Sequence, residues 1–365
     1  MRDRVEFTDV RVRAETTERV REVLESGRFV KGPRLADFEE RFAERTGVEH
    51  AVGVSNGTAA IYLALAAAGV GKGDEVFVPG HTFFATVSPV LALGADPVFV
   101  DVEDDTFTID PDALADAIRE SENAAAVIPV HVHGLMADMS AIQDVAAPRD
   151  LFVLEDACQA HFARRDGETA GSSGDAGAFS FYPSKNMTVA GDGGMVTTDD
   201  GTLAERIRRL RNHGRDEHGV HRTLGLNYRL DETNAAVGLG QLERVEDWNQ
   251  HRNAAAGQYT ERLGEGLPLR PQGVPPETDH VYHHYAIRAP DRDGLRAHLR
   301  DMGIETGIHY PHGAHQHPAI GELLDPPELS RTERLVEQLL SLPMHPRLDD
   351  GEIERVCAAI EGYYR

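Results

Sequence analysis

Lys185 is the residue of this sequence whose chemistry can be argued most directly. It lies between Ser184 and Asn186, and the only other lysines are Lys31 and Lys72, so arginine supplies 34 of the 37 basic residues. Arginine stays protonated and is a poor nucleophile, whereas a desolvated lysine can lose its proton and form a Schiff base with an aldehyde. The alternative for Lys185 is a surface lysine in a turn, and the rest of the chain has to decide between the two.

A second pattern is the turn Ser55-Asn56-Gly57-Thr58, which follows a short apolar run and precedes a predicted helix. A strand, a glycine-containing turn and a helix in this order direct free backbone N–H groups at an anion. The alternative is an ordinary helix N-cap by Ser55 or Asn56. The segment has neither a G-x-G-x-x-G pattern nor a Walker lysine, so it is not a nucleotide-binding fingerprint.

A third pattern is the carboxylate pair Glu155-Asp156, directly after the apolar run 151–154. The carboxyl ends of strands are where open α/β sheets bind ligands. Side chains alternate along a strand, so only one of the two acids needs to face a site. A buried aspartate there requires a cationic partner. The alternative is a pair of acids at the start of a helix, where the helix dipole favours them.

Taken together, these patterns describe one cofactor. Ser180 lies five residues before Lys185, across a proline turn. A cationic ring nitrogen for Asp156, a phosphate for Gly57, Thr58 and Ser180, and an aldehyde for Lys185 are the parts of pyridoxal phosphate.

The elements that must position these residues alternate between strand and helix. Apolar runs without polar alternation predict a mostly parallel sheet covered on both faces, and therefore an α/β fold. After residue 264 the sequence is rich in glycine and proline and then resumes as a smaller α/β unit. We predict a large domain over 1–248 and a small C-terminal domain over 249–365. The predicted strands are 51–54, 75–79, 96–100, 125–130, 151–154, 179–181 and 194–198, and the predicted helices are 10–26, 33–46, 59–68, 83–93, 110–119, 139–146, 203–211 and 232–263. The last of these is long, and a break within it stays open.

Composition excludes several classes of function. The net charge of -24 argues against a nucleic-acid partner, which requires a basic footprint. No run is long and apolar enough for a membrane span, and we expect no signal peptide. Two cysteines are too few for a disulfide framework, which favours a cytoplasmic location. The acidity, with arginine in place of lysine, is typical of a salt-adapted, halophilic cytoplasm.

His131 and His133 lie two positions apart, and strand alternation would put both rings on one face. No third ligand has a suitable spacing, so we expect a structural role and no metal.

The motifs as a set resemble the sugar-nucleotide aminotransferases of the DegT–StrS type, which have the aspartate aminotransferase fold, fold type I of the pyridoxal phosphate enzymes. The resemblance runs from about residue 29 to the C-terminus and is carried by the segments 55–58, 155–159, 179–186, 191–194, 225–231 and 308–311.

The resemblance implies specific roles around the cofactor. Lys185 would be the Schiff-base lysine, and Asp156 would pair with the pyridinium nitrogen. The remaining cofactor contacts are implied as follows: Gln159 to the ring hydroxyl, Phe83 over the ring, and Ser180 with the backbone of Gly57 and Thr58 to the phosphate.

The resemblance also implies an active site that is shared between two chains. Asn227 would reach the phosphate of the neighbouring subunit, so the protein would be a homodimer; the alternative is that Asn227 caps the following helix of its own chain. Arg229, His309 and Tyr310 are candidates for binding the sugar nucleotide or the carboxylate of the amino donor. Gly80 and His81 depart from the common family pattern. These departures leave the identity of the sugar substrate open, but not the type of reaction.

The expected function is transfer of an amino group from an amino acid, L-glutamate first, to a nucleotide-linked keto sugar. Some relatives are deoxysugar dehydratases in which histidine replaces the lysine, and Lys185 argues against that activity. A fold type I enzyme that acts on an amino acid also stays open, as does a non-catalytic regulator built on the same fold.

Overall fold

The computed structural model describes residues 4–264 and 266–365. At its centre is a seven-stranded sheet formed by β1 His50–Val54, β2 Glu75–Pro79, β3 Asp96–Val100, β4 Ala124–Val127, β5 Phe152–Asp156, β8 Ala176–Ser180 and β9 Gly194–Thr198. Their order in the sheet is β1-β9-β8-β5-β4-β2-β3. The strands from β3 to β8 pair in parallel, whereas β9 pairs antiparallel with both β8 and β1.

Helices cover both faces of this sheet. Alternate side chains of β2 enter different cores: Phe77 packs in one, and Val76 and Val78 pack in the other. The mostly parallel, doubly covered sheet is therefore confirmed. The helices are α1 Ala14–Ser26, α2 Pro33–Thr46, α3 Gly57–Ala68, α4 Ser88–Ala92, α5 Pro111–Glu120, α6 Met139–Ala146, α7 Gly201–Leu210, α8 Glu232–Leu242, α9 Val245–Leu263, α10 Arg292–Asp301, α11 Pro318–Gly321, α12 Ser330–Gln338 and α13 Asp350–Tyr364.

The C-terminal part has a smaller sheet, β10-β12-β13, formed by Arg270–Pro271, Tyr285–Arg288 and Leu339–Leu342. A third core joins this sheet to α9, α10 and α13, and Val5 from the N-terminal segment packs in it. Helix α9 crosses the predicted domain boundary at 248, which stays a prediction. A third sheet, β11-β6-β7, joins Thr278–Asp279 to Arg164–Arg165 and Glu168–Thr169.

Several predicted elements have different bounds in the structure. The first helix begins at Ala14 and not at residue 10. The predicted helix 83–93 is divided into a 3-10 turn, Phe84–Thr86, and α4, because Pro89 lacks the N–H that a continuous helix would need. The long helix 232–263 is interrupted between α8 and α9. Within the described ranges, no helix combines the length and apolarity needed to cross a bilayer.

Candidate active site

Asp156 ends β5, a strand in the middle of the large sheet, and is 6% exposed. Its Oδ2 accepts a hydrogen bond from the Thr86 hydroxyl at 2.7 Å, and its Oδ1 accepts one from the Cys158 N–H at 3.2 Å. The Thr86 hydroxyl also lies 2.7 Å from that of Thr82. The carboxylate is therefore buried and held in one orientation at the edge of the sheet where α/β folds bind ligands.

Glu155 points away from Asp156, as strand alternation predicts. It accepts hydrogen bonds from the backbone N–H groups of Gly171, Ser173 and Gly174 at 2.7–2.8 Å, and so it anchors a loop. His131 bonds the same carboxylate through Nε2 at 2.8 Å. Asp156 is thus the acid that remains for a ligand, and the alternative of two helix-start acids is wrong.

The two histidines of the His131/His133 pair face different partners. His131 Nδ1 accepts from the Ala137 N–H at 3.1 Å, so the ring proton is on Nε2 and is donated to Glu155. His133 instead bonds the backbone carbonyl of His309 through Nε2 at 2.9 Å. In the described parts of the chain, no cluster of three or more metal-binding side chains is found.

The N-terminus of α3 lies beside Ser180, where its free N–H groups could hold an anion. Asn56 Oδ1 caps the helix by accepting from the Ala59 N–H at 2.8 Å. The alternative of an N-cap by Asn56 is therefore confirmed. This cap still leaves the first N–H groups of the helix, those of Gly57 and Thr58, without an intrahelical partner. A Cβ on Gly57 would lie 2.8 Å from Ser180 Cβ, so only glycine lets this helix end approach Ser180 so closely.

Lys185 lies in the turn that follows β8, within electrostatic range of Asp156. Its backbone N–H donates to the Tyr182 carbonyl at 2.8 Å, which closes the turn. Burial of the amine lowers the pKa of Lys185, and the nearby Cys158 and Asp156 oppose that shift only in part. The lowered pKa favours the neutral amine, which is the nucleophilic form. A solvated surface lysine does not describe this position.

Asn186 holds this turn from its other side. Its amide nitrogen donates to Asn249 Oδ1 at 3.0 Å and to the Val281 carbonyl at 2.9 Å. The sequence analysis assigned no role to Asn186 or to Thr86, because both act through residues more than 60 positions away. No local pattern carries such contacts.

Gln159 connects the large sheet to the C-terminal part. Its Oε1 accepts from the His133 N–H at 2.6 Å, and its Nε2 donates to the Tyr310 hydroxyl at 2.8 Å. The Tyr310 ring lies 5.5 Å from that of Phe83, which is 57% exposed. Burial and the charge of Asp156 raise the pKa of Tyr310, so its hydroxyl stays protonated and can donate.

His309 is held between the two parts of the chain. Its ring stacks on His284 at 3.9 Å, and its Nδ1 bonds the Ser341 hydroxyl at 3.0 Å. Burial, with the nearby His133 and Lys185, lowers the pKa of His309 to about 3. The ring is therefore neutral near pH 7.

Asn227 and Arg229 lie in a segment that pairs with the end of β1: Arg229 forms a backbone bridge with Val54, and the Ser55 N–H donates to the Tyr228 carbonyl at 3.0 Å. Asn227 is exposed and forms a backbone bridge with Asn212, and Arg229 donates to Asn212 Oδ1 at 3.0 Å. The N-cap position of α8 is Asp231, so the alternative that Asn227 caps this helix is wrong. Contact with a neighbouring subunit stays a prediction for both residues.

The arrangement fits pyridoxal phosphate. A helix N-terminus with Ser180 is brought close enough to hold a phosphate only because position 57 is glycine. Asp156 is an oriented, buried carboxylate for a cationic ring nitrogen, and the Lys185 amine lies close to it. The distances from these residues to a cofactor, and the predicted roles of Phe83 and Gln159, remain predictions.

Comparison with known proteins identifies the family. The model of the DegT/DnrJ/EryC1/StrS aminotransferase family matches residues 10–361. The chain belongs to this family. The predicted family, the fold and the aminotransferase class of the enzyme are thereby confirmed.

Among similar DegT/DnrJ/EryC1/StrS proteins, a Streptomyces venezuelae protein named dTDP-3-amino-3,4,6-trideoxy-alpha-D-glucose transaminase is 44% identical over 98% of this chain and 95% of its own. A Geobacillus stearothermophilus protein named pleiotropic regulatory protein is 41% identical over 94% of this chain and 93% of its own. A crystal structure of S. venezuelae DesV in complex with a ketimine intermediate superimposes with a TM-score of 0.96 at 43% identity and covers 99% of both chains.

Proposed function

We propose that this chain is a pyridoxal phosphate-dependent aminotransferase that moves an amino group from L-glutamate to a nucleotide-linked keto sugar. The observation that carries the proposal is the buried Lys185 amine, whose pKa is lowered by burial and which interacts electrostatically with the oriented carboxylate of Asp156. A neutral amine next to an acid of this kind is what capture of an aldehyde cofactor needs.

In this proposal, Asp156 keeps a proton on the ring nitrogen of the cofactor. When bound, pyridoxal phosphate supplies a sink for the electrons of the bond broken at the amino carbon. Thr86 donates to the same carboxylate and fixes its direction. Gln159 is the proposed partner of the ring hydroxyl, and Phe83 is the proposed cover of the ring.

Lys185 has the second proposed role, as the acid–base group of the transfer. After the donor has displaced Lys185, the free amine takes the proton from the donor's Cα and returns a proton to C4′ of the cofactor. Burial of the amine lowers its pKa toward the working pH, which is where such a base is most effective.

The phosphate is proposed to lie at the N-terminus of α3, with the N–H groups of Gly57 and Thr58 and the hydroxyl of Ser180. We propose that Asn227 of a second copy completes this site, so the active form is a homodimer. The exposure of Asn227, and its distance from the α8 cap, support this role.

Three residues are proposed for the substrates. Tyr310 and His309 line the junction with the C-terminal part, and a protonated phenol and a neutral imidazole can both hydrogen-bond to sugar hydroxyls or a carboxylate. Arg229 is proposed for an anionic group of a substrate. The name of the 44% identical relative, a 3-amino sugar transaminase, supports 3-keto sugars linked to dTDP as the first acceptors to test.

Two competing functions are distinguishable from this one. A deoxysugar dehydratase is disfavoured, because the relatives with that activity have histidine in place of Lys185. A regulator is a second candidate, because the 41% identical relative is named a regulatory protein. The retained Lys185 and Asp156 favour an enzyme, since a regulator has no need of a buried amine beside an oriented carboxylate.

The test is a pair of half-reactions. The holoenzyme is mixed with L-glutamate, and the cofactor absorbance and the release of 2-oxoglutarate are followed. The aminated enzyme is then offered 3-keto and 4-keto sugars linked to dTDP or UDP. Transfer to at least one of them is expected, and a protein that neither binds the cofactor nor reacts with glutamate would support the regulator.

The proposed location is the cytoplasm, and both cysteines are free in the structure, as a reducing compartment would keep them. The high acidity also supports a salt-adapted protein, for which activity is expected to be retained at molar salt.

A further inference from the structure

Lys31, just before α2, lies within electrostatic range of Arg215 and Arg229, and none of the three has a carboxylate partner among the described residues. Lys31 has no polar side-chain contact within those residues, Arg229 bonds the neutral amide of Asn212, and Arg215 bonds a ring nitrogen of His221. We call Lys31, Arg215 and Arg229 the cationic cluster. Arg211 lies close to it, but its charge is balanced by Glu39 at 2.5 Å.

Repulsion within the cluster is evident at Lys31. Partial burial and the nearby guanidinium groups of Arg229, Arg211 and Arg215 lower the pKa of Lys31. The chain has 61 acidic against 37 basic residues, so a carboxylate partner would be easy to supply. A group of like charges that has no carboxylate partner is electrostatically unfavourable unless an anion binds to it.

Two acids around the adjoining cavity, Glu205 and Asp216, are engaged elsewhere, whereas the exposed Glu217 lies 3.5 Å from His218. This cavity, of about 560 Å³, is lined by Lys31, Arg211 and Arg215. Of its acids, Glu205 pairs with Arg208 at 2.8 Å, and Asp216 accepts from the Arg222 Nε at 2.7 Å and from two N–H groups of its own turn. Neither carboxylate is therefore free to neutralise the cluster.

The backbone that carries Lys31 is held rigidly. The carboxylate of Glu232, 1% exposed, accepts hydrogen bonds from the N–H groups of Gly32, Arg34 and Leu35 at 2.8–2.9 Å. Lys31 itself has a φ of 53°, in the left-handed region that favours glycine. A lysine is thus kept at a position where backbone conformation alone would prefer another residue.

Backbone contacts of the residues next to Lys31 connect it to the segment that contains Asn227. Val30 forms a backbone bridge with Asp231, which ends that segment, and the Glu232 N–H donates to the Phe29 carbonyl at 3.0 Å. If Asn227 reaches the cofactor phosphate of the partner, the cluster lies beside the entrance of the partner's site. That is where the anionic part of a bulky acceptor would extend.

We propose that Lys31, Arg215 and Arg229 bind the diphosphate of the nucleotide-linked acceptor, an inference that rests on the proposed function. A diphosphate carries two or more negative charges and many acceptor oxygens, which three neighbouring cationic donors can match. The cluster would then also bind a nucleoside diphosphate or pyrophosphate that carries no sugar.

The experiment compares two lysines of one chain. Holoenzyme of the wild type, Lys31→Gln, Arg215→Gln and Lys72→Gln is titrated calorimetrically with dTDP, UDP, the parent nucleosides and inorganic pyrophosphate. Lys72 is the matched control, because it is exposed and belongs to none of the sites described above. Circular dichroism and the cofactor absorbance verify that each variant is folded.

The Kd of the better-bound nucleoside diphosphate is expected to rise about ten- to a hundredfold in Lys31→Gln, as for the loss of one charge-assisted hydrogen bond. Lys72→Gln should bind as the wild type does, and the nucleosides alone should bind weakly to every protein. If Lys31→Gln is misfolded, Arg215→Gln decides by the same criterion.

Two results would overturn the inference: a folded Lys31→Gln or Arg215→Gln with the wild-type Kd, or a wild-type holoenzyme that binds none of dTDP, UDP and pyrophosphate. Pyrophosphate that binds to Lys31→Gln and Arg215→Gln with the wild-type Kd would show that the cluster does not hold the diphosphate and would also contradict the proposal. Reaction of the wild type with glutamate is measured separately, so failure of the proposed function is recognised independently.

Discussion

We predict that buried histidines make the folded protein sensitive to acid. Burial lowers the pKa of His133 to about 4 and the pKa values of His161 and His280 to about 3, against an ordinary value near 6.5. Above pH 6.5 these rings are neutral in both the folded and the unfolded chain. As the pH falls from 6.5 toward 4, only the unfolded chain takes up the protons, so the free energy of unfolding decreases.

The magnitude follows from that difference. For one histidine with a pKa near 6.5 when unfolded and near 3 when folded, lowering the pH from 7.5 to 5.5 removes about 1.4 kcal/mol from the free energy of unfolding. Three such histidines together remove about 4 kcal/mol, which is a large fraction of the 5–15 kcal/mol that typically stabilises a domain.

The assay is denaturant unfolding at several pH values between 5 and 8, at fixed salt, protein and cofactor concentration, because dimerisation and cofactor binding also contribute to stability. His161→Phe is the informative variant, since its ring packs against Phe179 and Phe181 and a phenyl ring can take the same place. Between pH 7.5 and 5.5, the free energy of unfolding of this variant should decrease by about 1.4 kcal/mol less than that of the wild type.

His218→Phe is the control, because it removes one imidazole from a side chain that is 75% exposed. The reasoning is refuted if His161→Phe and the wild type show the same pH dependence. It is also refuted if the stability of the wild type is constant between pH 7.5 and 5.5.

The remaining predictions concern the active site. Borohydride reduction of the holoenzyme followed by peptide mapping should find the cofactor on Lys185; an adduct on Lys31 would contradict the assignment. Asp156→Asn should bind the cofactor but lose several orders of magnitude in kcat, since losing the partner of a buried cation costs about 3–5 kcal/mol; near-normal turnover would assign the ring proton to another residue. Mixing inactive Lys185→Ala with Asn227→Ala chains, after tagged subunits are shown to exchange, should restore activity, because one site of the mixed dimer has neither lesion. No recovery would mean that each site belongs to a single chain.

Local patterns predicted much of the fold. The strands β2, β3 and β9 and the helices α2 and α6 have the predicted bounds, because apolar runs and the glycine and proline residues that end them act within a few positions. The predictions were wrong where a local rule competes with helical periodicity. Pro89 divides the region 83–93, and the helix predicted to begin at residue 10 begins at Ala14.

The chemistry of the site was also present in the residue types. Lys185 is conspicuous because lysine is so rare, and Asp156 because it directly follows an apolar strand. The alternation rule correctly separated Glu155 from Asp156, since the strand is regular up to its last residue.

By itself, the sequence determined the kinds of groups available for the reaction and the order of the elements that carry them. Only the tertiary structure decided which distant groups meet: Thr86 with Asp156, Tyr310 with Gln159, and Lys31 with the segment before Glu232 through the Val30–Asp231 bridge. These contacts join residues 70 to about 200 positions apart, and they depend on the order in which strands pair. That order results from packing of the whole chain, so no pattern within a short segment can encode it.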